Sequence, residues 1–194
     1  MAKPKILAFA GSTRTDSYNK RLVRVAAAAA EKAGAEVTVV DLRELGMPLY
    51  DGDLEARDGL PKEAQRFKEL LLSHQGLLIS SPEYNSSISA VLKNAIDWAS
   101  RPAPGEESLA CFKGKVAGLM SASPGALGGL RGLVHLRAIL GNIRVIVLPE
   151  QAAVSKAHEA FDANGSLKEA GPRGMVEGVG TAVAQMLQKL QGNT

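Results

Sequence analysis

The strongest constraint on this chain is a rhythm. Short apolar runs rich in aliphatic residues alternate with longer amphipathic stretches five times between Lys5 and Leu190. Lys5–Ala10, Glu36–Val40, Gly76–Ser80, Lys115–Ala122 and Arg144–Leu148 are the short runs, each read as a strand. The second closes at Asp41 and the fifth at Pro149. Lys20–Ala33, Lys62–Ser73, a stretch from Ile88 to Ala99, Leu127–Leu140 and a stripe from Val176 to Leu190 have helical spacing. Gly34 and Gly141 mark two helix ends, and Pro61 suits a first helical turn. Leu42–Leu60 reads as irregular, and Ala152–Gly171 as a loop with some helix. Alternation of this kind predicts an α/β protein, a parallel sheet covered by helices on both faces.

The remaining bulk properties fit one soluble domain over residues 1–194, of 45% hydrophobic and 22% charged residues. Aromatic residues are only 4%, so the core must be aliphatic. The formal charge of +3 comes without a block of Lys or Arg, which argues against nucleic-acid binding. It also argues against a strongly acidic carrier that docks by charge. The apolar part of the first strand is five residues long and is followed by Gly-Ser-Thr-Arg, which reads as a strand and not as a signal peptide. No run is long enough to span a bilayer. Cys111 is the single cysteine, so no internal disulfide can form, and a reducing cytoplasm is expected. His74, His135 and His158 are far apart, more in keeping with packing or surface roles than with a metal site.

Ligands of parallel sheets bind beyond the C-terminal strand ends, near the point where the strand order reverses. Three loops reach that edge. The first, Gly11–Asn19, holds Ser12, Thr13, Arg14, Thr15, Ser17 and Asn19 and feeds directly into a helix. A helix N-terminus carries unpaired N–H donors and partial positive charge. Ser12, Ser17 and Asn19 can add neutral hydrogen bonds, and Arg14 a charge-assisted one. Lys20 and Arg21 in the first turn oppose the helix dipole, a penalty that a bound phosphate would offset. The other reading is an N-cap at Ser17 or Asn19 with a solvated Arg14. The loop is neither GxGxxG nor a P-loop, and Asp41 reads as a strand-end or turn residue.

The second loop runs Ser80-Ser81-Pro82-Glu83-Tyr84-Asn85-Ser86-Ser87. Pro82 stops the ladder, Tyr84 offers a flat surface, and Asn85 offers donors and acceptors to a heterocycle. An ordinary turn with Asn85, Ser86 or Ser87 as N-cap fits equally. The third loop carries Ser121, Ser123 and Gly125, with glycines that permit close approach of a planar ligand. A plain flexible loop is the other reading.

Taken together, Gly11-Ser12-Thr13-Arg14 with Ser17 and Asn19, Ser81-Pro82-Glu83-Tyr84-Asn85, and Leu92-Lys93-Asn94-Ala95-Ile96-Asp97-Trp98 resemble the NADPH-dependent FMN reductase family. That family includes bacterial quinone, chromate and azo reductases, and the resemblance runs over most of the chain. It implies a flavodoxin-like fold of strand order 2-1-3-4-5 and one non-covalent FMN. It implies that Ser12, Arg14, Ser17 and Asn19 hold the phosphate, and that Pro82, Glu83, Tyr84 and Asn85 border the ring and ribityl chain. Ser121, Ser123 and Gly125 would lie at the other edge. NADPH or NADH would be the hydride donor, and a quinone, flavin, azo compound or metal oxyanion the small-molecule acceptor. Family members are usually homodimers or homotetramers. This chain departs from the family in Ser86, where Gly is common, and in Ser89-Ala90, where Pro-Gly is common. A difference is therefore expected in the turn before the helix. Two other readings stay open: a flavin-binding electron carrier without its own NAD(P)H activity, and a non-flavin nucleotide-binding protein.

Overall fold

The structure, a computed structural model, describes residues 2–192. Met1, Asn193 and Thr194, which the one-domain expectation for 1–194 includes, lie outside the described residues. The five strands are β1 (Lys5–Ala10), β2 (Glu36–Asp41), β3 (Gly76–Ser80), β4 (Val116–Ala122) and β5 (Ile146–Val154). All pair in parallel, in the order β2-β1-β3-β4-β5, the flavodoxin-like order that the resemblance implies. The sheet reverses direction of growth between β1 and β3, which places the first two loops side by side.

Alternate residues of the central strands feed two cores. Ile6, Ala8 and Ala10 face one way with α1 (Tyr18–Lys32) and α8 (Ala170–Gly192). Leu7 and Phe9 face the other way with α4 (Lys62–Leu72), α5 (Ala90–Ala99) and α6 (Leu130–Asn142). β3 and β4 are buried along their whole length, as strands covered on both faces must be. The small residues have a packing purpose. A Cβ on Gly180 would stand 2.0 Å from the Ala26 carbonyl oxygen, so only glycine lets α8 lie this close to α1.

Several boundaries differ from the sequence reading. The first helix begins at Tyr18, two residues before Lys20, because Ser17 caps it. The Leu42–Leu60 stretch is not irregular throughout. It holds α2 (Leu42–Leu45), capped by Asp41, and α3 (Gly52–Asp58), capped by Asp51. Its middle is tied to α5, where Asn94 accepts from Tyr50 N–H and donates to Pro48 O, and Trp98 Nε1 donates to the same carbonyl at 2.8 Å. Gly141 does not stop α6, which continues to Asn142. Leu127, placed in that helix by spacing, precedes it.

Pro149 does not end β5 either. The strand runs on to Val154, and the register jumps from Ala117↔Val147 to Leu119↔Gln151. Pro149 sits in that irregularity on an edge strand, where a missing N–H does not break the ladder. The Ala152–Gly171 stretch therefore contains the end of β5, the short α7 (Ala157–Ala160) and the start of α8. Among the described residues no helix is long and apolar enough to cross a membrane.

Candidate functional site

The site is built where β1, β3 and β4 end. β1 hands over to the first loop at Gly11, whose N–H donates to Ser80 O at 2.9 Å. Ser12 is buried, and its hydroxyl accepts from Arg14 N–H, which bends the loop back on itself. Ser17 then caps α1 by accepting from Lys20 N–H. The capping reading of Ser17 is thus met, and it leaves room for a second role, since one hydroxyl oxygen carries two lone pairs and one hydrogen. The N–H groups of Tyr18 and Asn19, in the first turn of α1, find no acceptor among the described residues. Nor does the exposed Arg14 guanidinium meet an acid or an acceptor there.

Asn19 is a buried strut. Its Oδ1 accepts from the Ser80 hydroxyl at 2.8 Å and from Ala122 N–H at 3.0 Å, while its Nδ2 donates to Ala122 O at 2.9 Å. One side chain thereby joins the ends of β3 and β4 to the start of α1. A single Nδ2–H is left over. Lys20 and Arg21 do not wait for an anion. Lys20 Nζ lies 2.6 Å from Asp41 Oδ2, and Arg21 lies 3.9 Å from Asp16. Asp41 is the strand-end and turn residue expected of it, since it also caps α2 through Arg43 N–H at 3.0 Å.

The loop after β3 makes the tightest turn of the site. Tyr84 and Ser87 exchange both backbone hydrogen bonds, at 2.9 and 3.0 Å, around Asn85 and Ser86. Both central residues have positive φ, 50° and 66°, as in a type I′ hairpin turn. Ser86 thus stands in the left-handed region where a side chain costs roughly 1–2 kcal/mol. Position 86 has a conformation that favours glycine although serine occupies it. The helix that follows is not capped by Asn85, Ser86 or Ser87. Ser89 caps it, accepting from Leu92 N–H, and its hydroxyl donates to Gly11 O at 2.6 Å. The second departure, Ser in place of Pro, therefore ties the second loop to the first.

Glu83 points away from solvent and seals α6. Its carboxylate accepts from Arg131 N–H at 3.0 Å and Gly132 N–H at 3.3 Å, and pairs with the Arg131 guanidinium at 2.6 Å. Burial pushes this carboxyl up, but the Arg131 side chain and the two N–H donors outweigh burial and hold it below the ordinary carboxylate range. Gly129, at the N-cap of α6, has no side chain for the task, so Glu83 does it from another loop. Tyr84 is left half-exposed above this clamp.

In the third loop Ser121 is buried and donates to Gly128 O at 2.7 Å, while Ser123 accepts from Gly125 N–H at 3.2 Å. The loop is folded and not merely flexible. A Cβ on Gly128 would stand 2.7 Å from the Val154 carbonyl carbon, so the loop packs directly on the end of β5.

Sequence reasoning missed four contributors. Ser80, Ser89, Arg131 and Arg43 act by reaching across the fold, Arg43 by donating to Thr15 Oγ1 at 2.6 Å. Ser89 carried a signal, a serine just before an apolar helical run. Arg43 carried none, because its partner lies 28 residues earlier. Among the described residues no group of three or more His, Cys, Asp or Glu could hold a metal ion. His74 is a packing residue whose two ring nitrogens meet Leu70 O and Thr38 Oγ1.

The arrangement suits a phosphorylated planar ligand. A cluster of uncommitted donors lies on the first loop, and a half-exposed aromatic ring with a rigid turn lies on the second. Comparison with known proteins agrees. The family model described as NADPH-dependent FMN reductase matches residues 4–159. An NAD(P)H-dependent FMN reductase of Pseudomonas aeruginosa is 36% identical over 189 residues, covering 97% of each chain. A 2-hydroxy-1,4-benzoquinone reductase of a Burkholderia species is 35% identical over 164 residues, covering 84% of this chain and 85% of that one. A solved flavoenzyme, an NAD(P)H:(acceptor) oxidoreductase from Paracoccus denitrificans, superposes with a TM-score of 0.80 at 29% identity, over 96% of this chain and 98% of that one. The chain belongs to the NADPH-dependent FMN reductase family, whose members are oxidoreductases using FMN and NAD(P)H.

Proposed function

We propose that this chain binds one FMN non-covalently on the loops after β1, β3 and β4 and passes electrons from NAD(P)H to a quinone. The observation that carries the reading is the first loop, where Arg14 and the first N–H groups of α1 remain without partners among the described residues. Ser12, Arg14 and Ser17 would hold the phosphate, with Asn19 giving its remaining N–H and keeping the strand ends in place. Pro82, Tyr84 and Asn85 would border the ring and ribityl chain. Glu83 would act by fixing that turn against α6, since its oxygens already serve Arg131 and Gly132. Ser121, Ser123 and Gly125 would close the opposite edge.

When bound, FMN supplies the two-electron chemistry. The protein would orient it, and a nicotinamide and then an acceptor would dock on the side of the exposed Tyr84 ring. The quinone class is favoured because relatives carry it in their names, including a quinone reductase of Escherichia coli that is 30% identical over 194 residues. Leu127, Leu130 and Val134 are exposed beside the site, an apolar surface that assembly into a homodimer or homotetramer would cover.

The test is spectroscopic. Purified protein, or protein given FMN, should show bound-flavin absorbance. Anaerobic NADPH should bleach it within a turnover, and benzoquinone should restore it. Failure to take up FMN would reject the site. Uptake without bleaching would leave a flavin carrier instead, and restoration by azo dye or chromate but not quinone would reject the quinone assignment.

A further inference from the structure

Among the described residues three lysines are buried: Lys20, Lys68 and Lys115, with relative exposures of 9%, 5% and 8%. A buried ammonium is costly unless an acid accompanies it. Two of them have one. Lys20 lies 2.6 Å from Asp41, and Lys68 lies 2.6 Å from Glu106. Lys115 has no acidic partner among the described residues, and its Nζ donates only to the His74 carbonyl. Two of its three N–H donors therefore have no acceptor among the described residues.

Lys115 does not sit in a closed core. It lines a surface groove of about 330 Å³ at the N-terminal end of the sheet. Leu72, Leu187 and Leu190 form an apolar wall, and Lys113 adds a second cation at the rim, only loosely paired with Glu107 at 3.4 Å. Leu72 and Leu190 are nearly half exposed although they are large and apolar. The groove thus joins an uncompensated positive floor to an uncovered greasy wall.

We propose that this groove binds a small organic carboxylate, with the carboxylate on Lys115 and the apolar body on Leu72, Leu187 and Leu190. The charge and the wall together select the class. An inorganic oxyanion would leave the leucines wet, and a neutral alcohol would leave the ammonium unpaired. Burial pushes the Lys115 ammonium below its ordinary value, opposed by the nearby Cys111 thiol. The site is separate from the flavin loops. Lys115 precedes β4 and Ser121 lies near its other end, about 20 Å away at roughly 3.3 Å per residue.

Calorimetry on the FMN-loaded protein tests this with octanoate, octan-1-ol and inorganic phosphate. Octanoate should bind at least tenfold more tightly than either of the others, and amide NMR shifts should fall on Gly114 and Leu190 and not on Ser12–Asn19. Lys115→Met should weaken octanoate at least tenfold while leaving NADPH oxidation unchanged. Leu190→Asp, at a half-exposed position, should weaken it similarly and serves if the lysine variant does not fold. Equal binding of alcohol and carboxylate, tighter binding of phosphate, unchanged affinity in both variants, or no octanoate binding would each overturn the assignment.

Discussion

Two helices begin at the same edge of this sheet, and they treat their N-termini in opposite ways. α6 is closed. Glu83 brings a full negative charge to its first N–H groups and adds a guanidinium pair with Arg131. α1 is open. It has no acidic residue in its first turn, its cap is the neutral Ser17, and the N–H groups of Tyr18 and Asn19 have no acceptor among the described residues. Both ends carry the same partial positive charge. The difference shows which one can receive an anion from outside. A helix end already neutralised by its own protein is part of the scaffold, whereas one left with spare donors beside an exposed arginine is the end we propose for the phosphate.

That contrast can be broken in order of expected effect. Glu83→Ala should cost about 1.5–3 kcal/mol of stability, because it strips a charged acceptor from the first N–H groups of α6 and from the Arg131 guanidinium. Chemical denaturation measures it. The same carboxylate predicts an acid dependence. Its folded value lies below the ordinary one, so its contribution is complete above about pH 4.3 and is lost as pH falls through the folded value. In Glu83→Gln that portion of the acid loss should vanish. If Glu83→Ala left stability unchanged, the sealed-helix reading would be wrong.

Arg14→Ala should do the reverse. It should leave the melting temperature of the flavin-free protein in place and weaken FMN by about 1.5–3 kcal/mol, roughly tenfold or more in Kd. Flavin fluorescence quenching measures this, and an unaltered Kd would remove Arg14 from the site. Ser17→Ala separates the two roles of the cap. Stability should fall by about 1 kcal/mol from the lost cap alone. A further loss of FMN affinity, beyond that of riboflavin, would assign Ser17 to the phosphate, and a loss of stability alone would confine it to capping.

The comparison also shows where reading a sequence stops. Glu83 could be placed on the right loop, but nothing in its neighbourhood reveals that it serves a helix 48 residues later. Asn19 looked like a ligand group or a cap and is chiefly a strut, since its partners Ser80 and Ala122 lie 61 and 103 residues away. The cationic first turn of α1 looked like a demand for phosphate, yet Asp41 already answers Lys20 from the end of a neighbouring strand. Pro149 looked like a terminus because a proline lacks an N–H, but an edge strand with a register shift has no use for that N–H there.

What the sequence by itself determined is therefore local and periodic. The five apolar runs, their helices and the positions of three loops at one edge follow from spacing and burial pattern, whose physical causes act within a few residues. The loop Gly11–Asn19 could be read as a helix N-terminus rich in polar side chains for the same reason. The tertiary structure alone decided which polar groups are already spent and which remain free. Hydrogen bonds and ion pairs are satisfied across space, so whether a donor on the first loop is available depends on what β2, β3 and β4 bring next to it.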